Sequence, residues 1–478
     1  MKTHWQVYKF FTFQKLFTPK QLNWVSLQYH RLCSLFIDKY EANTPDITYK
    51  FTLENTNKQK ERLSNVTGLR PESLDFVNLK ESFGNYFQDA EGKNILDLTM
   101  NQGFNVLGYN PRSISTKTKL EVFQQYRVNS FNNTPSTDYS ADLREVNKLA
   151  PTDVEQLQLC ENDDEAIEQA LRFATLAYLT DSNSQSKDHD LKKENFRFLS
   201  FEGGSYQSNT IQIPFPNIQY PYPENQADNL EEEDRCIEVL RKLIFDEKEK
   251  QTALPALIVE PIQYKAGVKL ASPMFFRKVQ KLCQEENIKF IVDETYTCGW
   301  VTGRTFHHSS WCSEIPADIV VFGGRMQLSG FFHKRDLVDL EQLENLGLRF
   351  NILGKPDLTK LNYLLILKNE AYNKQWLDLH GSDFMAGVRT ELNEVQKKSP
   401  IKISNVRGMG KMFAFDVEHR ILRDEIVYEC RKHGIKIGTY GETSLLFTPS
   451  LIFTEVHFTY FKQMLIHMRP STLNFTKI

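Results

Sequence analysis

The chain has 478 residues, 40% of them hydrophobic and 25% charged, which is enough to bury a large core. A formal net charge of −3 argues against a broad phosphate-binding surface, and no long apolar run or solenoid-period repeat suggests a membrane-spanning helix or a repeat array. The seven cysteines (Cys33, Cys160, Cys236, Cys283, Cys298, Cys312 and Cys430) are scattered without a C-x-x-C pair or zinc-type histidine spacing, so a reducing compartment and no metal site are expected.

Residues 1–45 stand apart. No acid precedes Asp38, while Lys2, Lys9, Lys15, Lys20 and Arg31 are spread among Phe10, Phe11, Phe13, Leu16, Phe17, Leu32, Leu35 and Phe36. A basic, acid-free, amphipathic start has the pattern of a mitochondrial presequence. It is expected to be an uncleaved targeting signal that doubles as a docking arm; the alternative is a helix laid on the chain's own surface. Further on, the polar run Asp181–Asp188 predicts an exposed loop. The acidic run Glu231–Asp234 predicts the solvated start of a helix beginning near Cys236.

The runs Leu257-Ile258-Val259, Phe290-Ile291-Val292 and Ile319-Val320-Val321-Phe322 suit strands buried on both faces of a parallel sheet, although a buried helix segment has the same look. Between the first two, Ser272 is a candidate N-cap, with Pro273 at the first helical position. Phe275, Phe276, Val279, Leu282 and Cys283 follow near helical spacing. Strand, helix and strand in that order form a βαβ unit. Glu260 and Asp293 then fall at carboxyl ends of strands, where open α/β sheets bind ligands, or where an acid caps or solvates a loop. Cys298-Gly299-Trp300 reads as a packed turn and His307-His308 as a surface loop.

Several motifs occur in a fixed order: Glu81-Ser82-Phe83-Gly84-Asn85-Tyr86-Phe87-Gln88-Asp89-Ala90-Glu91-Gly92-Lys93 with Leu96-Asp97-Leu98, then Val259-Glu260-Pro261-Ile262-Gln263, Val292-Asp293-Glu294, the stretch Ala317–Lys334, Val406-Arg407-Gly408-Met409-Gly410 and Phe447-Thr448-Pro449-Ser450-Leu451. From about Asp46 to the C-terminus this set resembles the 4-aminobutyrate aminotransferases, class III enzymes of the fold-type-I pyridoxal-phosphate (PLP) group. The resemblance implies an α/β fold: a large domain with a central, mainly parallel sheet, plus a small α+β domain built from both chain ends. The expected organisation is an extension over 1–45, a first part of the small domain over 46–130, a large domain over 131–370 and the rest of the small domain over 371–478.

The same resemblance implies a site, and this chain departs from it. Arg325 stands at the position of the lysine that bonds PLP; a guanidinium, protonated below a pKa of about 12, offers neither a free amine nor a base. Asp293, which matches the partner of the pyridine nitrogen, is retained, as are Glu260 and Gln263. A strand-end carboxylate such as Asp293 can equally serve backbone N–H groups. At the phosphate-binding turn the chain has Asn162-Asp163-Asp164-Glu165, and three acids there suggest a solvated helix cap. A carboxylate about 5 Å from a phosphate charge would cost roughly 3 kcal/mol at an effective dielectric near 20. Ser205 replaces a ring-stacking aromatic and Ser208 a carboxylate-binding arginine. Ile352 matches a phosphate-contacting threonine, and Thr448 the arginine that pairs with the acid at Glu260. The family's iron–sulfur cysteines fall at Asn162 and Glu165, so no cluster is expected.

These departures lead to the expectation of a catalytically inactive homologue, not an enzyme, with no cofactor and no covalently bound PLP. It would act as a structural subunit of a large mitochondrial assembly: a respiratory complex, ATP synthase or mitoribosome. The alternatives are an active 4-aminobutyrate:2-oxoglutarate aminotransferase with an unusual site, or a small-ligand-binding protein using the same cleft. The resemblance also implies a homodimer, or a heterodimer with a related chain, on the matrix side of the mitochondrion. Direct nucleic-acid binding is not expected.

Overall fold

A computed structural model describes residues 76–89, 91–111, 137–183, 196–206, 209–338, 358–373 and 382–469. The expected N-terminal arm and most of the polar run Asp181–Asp188 lie outside these residues, as do Ser208 and Ile352.

The main sheet has seven strands: β4 (Gln156–Cys160), β5 (Phe198–Phe201), β6 (Thr210–Ile213), β7 (Ala256–Val259), β8 (Lys289–Asp293), β9 (Ile319–Phe322) and β10 (Ser329–His333). Their spatial order is β4-β10-β9-β8-β7-β5-β6. The pairs from β9 through β8, β7 and β5 to β6 are parallel, and β10 runs antiparallel to both β9 and β4. The three apolar runs are thus strands, for a visible reason. Leu257, Val259, Phe290, Val292, Val320 and Phe322 face one core, and Ala256, Ile258, Ile291, Ile319 and Val321 the other. With a side-chain period of two, a strand covered on both sides must be apolar at every position.

Helices cover both faces. On the first core, α1 (Thr137–Asn147) contributes Tyr139 and Val146, and α5 (Leu358–Asn373) contributes Leu361, Leu364 and Leu367. On the second core, α2 (Asp163–Asn183) places Ala166, Ile167, Ala170, Phe173, Ala174 and Ala177. Back on the first, α4 (Pro273–Glu285) buries Phe275, Phe276, Val279, Leu282 and Cys283. The Ser272 hydroxyl accepts the Phe275 N–H at 3.1 Å, so the expected N-cap is present. The expected start of α3 needs correction. This helix spans Gln226–Glu249, so Glu231–Asp234 sit inside it, not before it. Glu233 is buried there and accepts from the Ser272 backbone N–H at 2.7 Å and hydroxyl at 2.6 Å. Glu232 pairs with Arg235.

A further core joins the two ends of the chain. The strands β1 (Val77–Phe83), β2 (Tyr86–Asp89) and β3 (Asn94–Asp97) form a meander. Its last strand pairs in parallel with β13 (Ile435–Lys436). A separate antiparallel sheet orders β11 (Ile403–Met409), β12 (Met412–Val417), β15 (Ser444–Phe447) and β14 (Gly438–Tyr440). Tyr86 and Leu96 from the first part pack with Phe413, Phe415 and Phe447 from the last. The helices α6 (Ser382–Lys398), α7 (Arg420–Lys432) and α8 (Glu455–His467) complete this core.

Candidate active site

The parallel strands β5, β7, β8 and β9 end on one edge of the main sheet, which gathers the residues that follow them. Asp293 closes β8, is 3% exposed, and accepts the Thr295 N–H at 2.9 Å. Glu260 follows β7, is buried, and accepts the Ser205 N–H at 2.5 Å. Its other oxygen, Oε2, has no hydrogen-bond partner among the described residues. Burial and the neighbouring Asp293 carboxylate push Glu260 up to about 7. Asp293 is also raised, first by burial and then by the charges of Asp163 and Glu294. Gln263 is buried, with its side-chain oxygen unpartnered among the described residues.

Arg325 lies in the short turn Gly324–Met326 after β9 and is 1% exposed. Its Nη1 donates to the Gly103 carbonyl at 3.2 Å, while Nε and Nη2 have no partner among the described residues. Gly103 has a φ of +82, and a Cβ there would overlap the guanidinium, so only glycine lets the backbone come this close. Burial pulls Arg325 down to about 10, still protonated at neutral pH.

Asp163, the first residue of α2, does not behave as the solvated cap expected of it. Both of its oxygens accept the Gly324 N–H at 3.0 Å, and Oδ1 accepts the Ser329 hydroxyl at 2.6 Å. The carboxylate thereby ties the start of α2 to the turn that carries Arg325. Asp164 is exposed as expected, and the cap is made by Asn162, whose oxygen accepts the Glu165 N–H at 2.9 Å.

Thr448 ties the chain ends together: its hydroxyl donates to the Thr99 carbonyl at 2.7 Å and its N–H to the Leu98 carbonyl at 2.9 Å. Cys298 is buried packing, as expected, and burial pushes its thiol up to about 12. The His307-His308 segment is not a surface loop. His307 is buried, and the His308 ring contacts the buried Glu294 carboxylate at 2.8 Å because that acid needs a partner away from water.

Sequence reading missed the walls of the site. Tyr264 stacks on Tyr296 with ring centroids 5.1 Å apart, and Phe104 lies 5.6 Å from the same ring. The Lys265 ammonium sits 5.3 Å from the Tyr296 centroid. Partial burial works against its charge, but Tyr296, Glu260 and Asp293 together raise its pKa. Lys265 is only two residues beyond Gln263 of the Val-Glu-Pro-Ile-Gln motif, the one signal that could have drawn attention to it.

Residues 70–468 match the family model for class-III aminotransferases. The mitochondrial 4-aminobutyrate aminotransferase of Sus scrofa is 30% identical over 80% of this chain and 82% of that protein. The 4-aminobutyrate aminotransferase of Emericella nidulans is 26% identical over 87% of this chain and 89% of its own length. Among solved structures, a lysine aminotransferase from M. tuberculosis in the internal aldimine form superposes with a TM-score of 0.69 at 19% identity, covering 85% of this chain and 98% of that one. An aminotransferase from Bacillus anthracis superposes with a TM-score of 0.71 at 17% identity, covering 87% and 100%.

These relatives correct the functional expectation. A catalytically inactive structural accessory subunit, not an enzyme, was expected from the altered residues; the relatives are named as aminotransferases and match this chain over most of their length. No relative named above ties it to a respiratory complex, ATP synthase or mitoribosome. The expectation of no cofactor is overturned in the same way, because class III aminotransferases use PLP. The residues present fit that group at one end: Asp293 is placed to accept from a protonated ring nitrogen, and Gln263 offers an unpartnered oxygen. At position 325 they do not fit it, since a guanidinium supplies no primary amine. With its motifs in order and 399 of its residues (70–468) inside the family model, this chain belongs to the class-III aminotransferases.

Proposed function

We propose that this chain acts on a small amino acid of the 4-aminobutyrate class, in the amino-group transfer that the names of its relatives describe, through a cleft whose side chains depart from the family pattern. The observation that carries this reading is a set of buried polar atoms that lack partners among the described residues at one sheet edge. Glu260 Oε2 and Gln263 Oε1 are open acceptors, and Arg325 Nε and Nη2 are open donors. Unpaired buried groups are costly, so a ligand bearing both N–H donors and a carboxylate is what this edge is built to take. The aromatic walls of Tyr264, Tyr296 and Phe104 suit its apolar middle.

The relatives from Sus scrofa and Homo sapiens are named as mitochondrial, which together with the basic, acid-free start supports a mitochondrial, matrix-side location. A dimer with a second copy or a related chain is part of the same reading.

The test is made on the full chain in two parts: calorimetric titration with 4-aminobutyrate, and glutamate formation from 2-oxoglutarate with 4-aminobutyrate and PLP supplied. Saturable binding and cofactor-dependent glutamate formation are expected. Because a positioned base contributes about 10²–10⁴-fold and position 325 lacks one, turnover is expected to be slow. Neither binding nor glutamate would defeat the reading. The guanidinium at 325 favours a second reading, a small-ligand-binding protein in the same cleft, and binding without any cofactor-dependent glutamate would select it.

A further inference from the structure

The geometry points to Arg325 as a carboxylate-binding residue: the ligand lays its carboxylate on the Nε–Nη2 edge of this guanidinium. The inference rests on the amino-acid reading above and names the end of the ligand that Arg325 holds.

Three observations lead to it. First, the open donors are on one edge. A guanidinium is planar; Nη1 is engaged by the Gly103 carbonyl at 3.2 Å, and Nε and Nη2 remain without partners among the described residues. Those two nitrogens present parallel N–H groups at the spacing of the two oxygens of a carboxylate, the side-on fork of Arg–carboxylate pairs.

Second, the charge is buried and unanswered. Arg325 is 1% exposed and makes no ion pair among the described residues. The groups that face it are Tyr264, Cys298 and Tyr296, all neutral at neutral pH. A buried cation calls for a counter-charge, which the described residues do not supply and a carboxylate ligand would.

Third, the protein's own acids are committed elsewhere. Asp163 is held by Gly324 and Ser329, and Glu260 accepts from Ser205. Asp293 accepts from Thr295, so each of the three holds a backbone N–H and none pairs with Arg325 among the described residues. Gly103 completes the arrangement, since any side chain there would displace the guanidinium. A ligand with a carboxylate at one end and an amine at the other answers Arg325 with the first and the open Oε2 of Glu260 with the second.

The experiment is calorimetric titration of the full chain with 4-aminobutyrate, with butylamine, which lacks the carboxylate, and with butyrate, which lacks the amine. It is repeated on Arg325→Gln and Arg325→Lys. For the wild type, butylamine is expected to bind at least about tenfold more weakly than 4-aminobutyrate, as loss of a charged hydrogen-bonded pair implies. Arg325→Gln should weaken 4-aminobutyrate by a similar factor and leave butylamine unchanged. Arg325→Lys should fall between, as a point charge without the fork. Equal affinity of the wild type for 4-aminobutyrate and butylamine would overturn the inference, as would wild-type affinity for 4-aminobutyrate in a folded Arg325→Gln. Should circular dichroism show that the variants do not fold, the wild-type comparison decides alone. Failure of all three compounds to bind the wild type would instead remove the amino-acid reading on which the inference rests.

Discussion

Arginine and lysine carry the same charge and differ in what they can do with it, and position 325 turns on that difference. The sequence makes the absence of an amine plain; it does not show where the guanidinium points. The acids could be named from their motifs, but their state depends on burial, which only packing decides. For Glu260 the consequence can be worked out with its sign. An ordinary glutamate near 4.5 is raised to about 7 here, so folding favours the protonated form. The contribution is fully present below about 4.5 and is lost as pH rises through about 7. Glu260→Gln stays neutral throughout, so it is expected to be more stable than the wild type by roughly 3 kcal/mol above that window and to lose the advantage below it. Urea unfolding at the two ends of the window measures this; an advantage independent of pH would show that the carboxylate is not raised by burial.

Elements were legible where local chemistry repeats. The apolar runs of β7, β8 and β9, and the Ser-Pro start of α4, each carry their own signal. The start of α3 was misjudged because its acids look solvated in sequence, whereas Glu233 reaches a partner 39 residues away at Ser272. Asp163 shows the same effect at α2. An acid in a first helical turn is favourable wherever it points, so nothing local told that this one crosses to the β9–β10 turn. Asp163→Ala leaves the Gly324 N–H and the Ser329 hydroxyl without their acceptor and is expected to cost about 1–3 kcal/mol. Asp164→Ala, on the exposed side, is expected to lie within about 0.5 kcal/mol of the wild type. Equal costs for the two in urea denaturation would mean that the Asp163 link does not stabilise the fold.

At the scale of the whole molecule, the sheet cores and the chain-end core divide the work. The double-sided sheet presents the site at its strand ends, and the chain-end core joins the early strands to the last helices. Phe413 lies at the centre of that chain-end core, stacked on Phe447 with centroids 4.7 Å apart. Phe413→Ala is expected to destabilise by about 3–5 kcal/mol, read from the urea midpoint. A loss below about 1 kcal/mol would show that the core can collapse around the gap. The sequence by itself determined the strand-helix-strand unit and placed Glu260, Asp293 and Arg325 at strand ends, because strand burial and helix capping are written in neighbouring residues and the ordered motifs resemble those of one family. Only the tertiary structure decided which polar atoms are satisfied. The Gly103 carbonyl reaches Arg325 across 222 residues, and Asp163 reaches Gly324 across 161. Contacts of that range follow from how the sheet and its helices pack, and it is packing that leaves one edge of a guanidinium open while closing the rest.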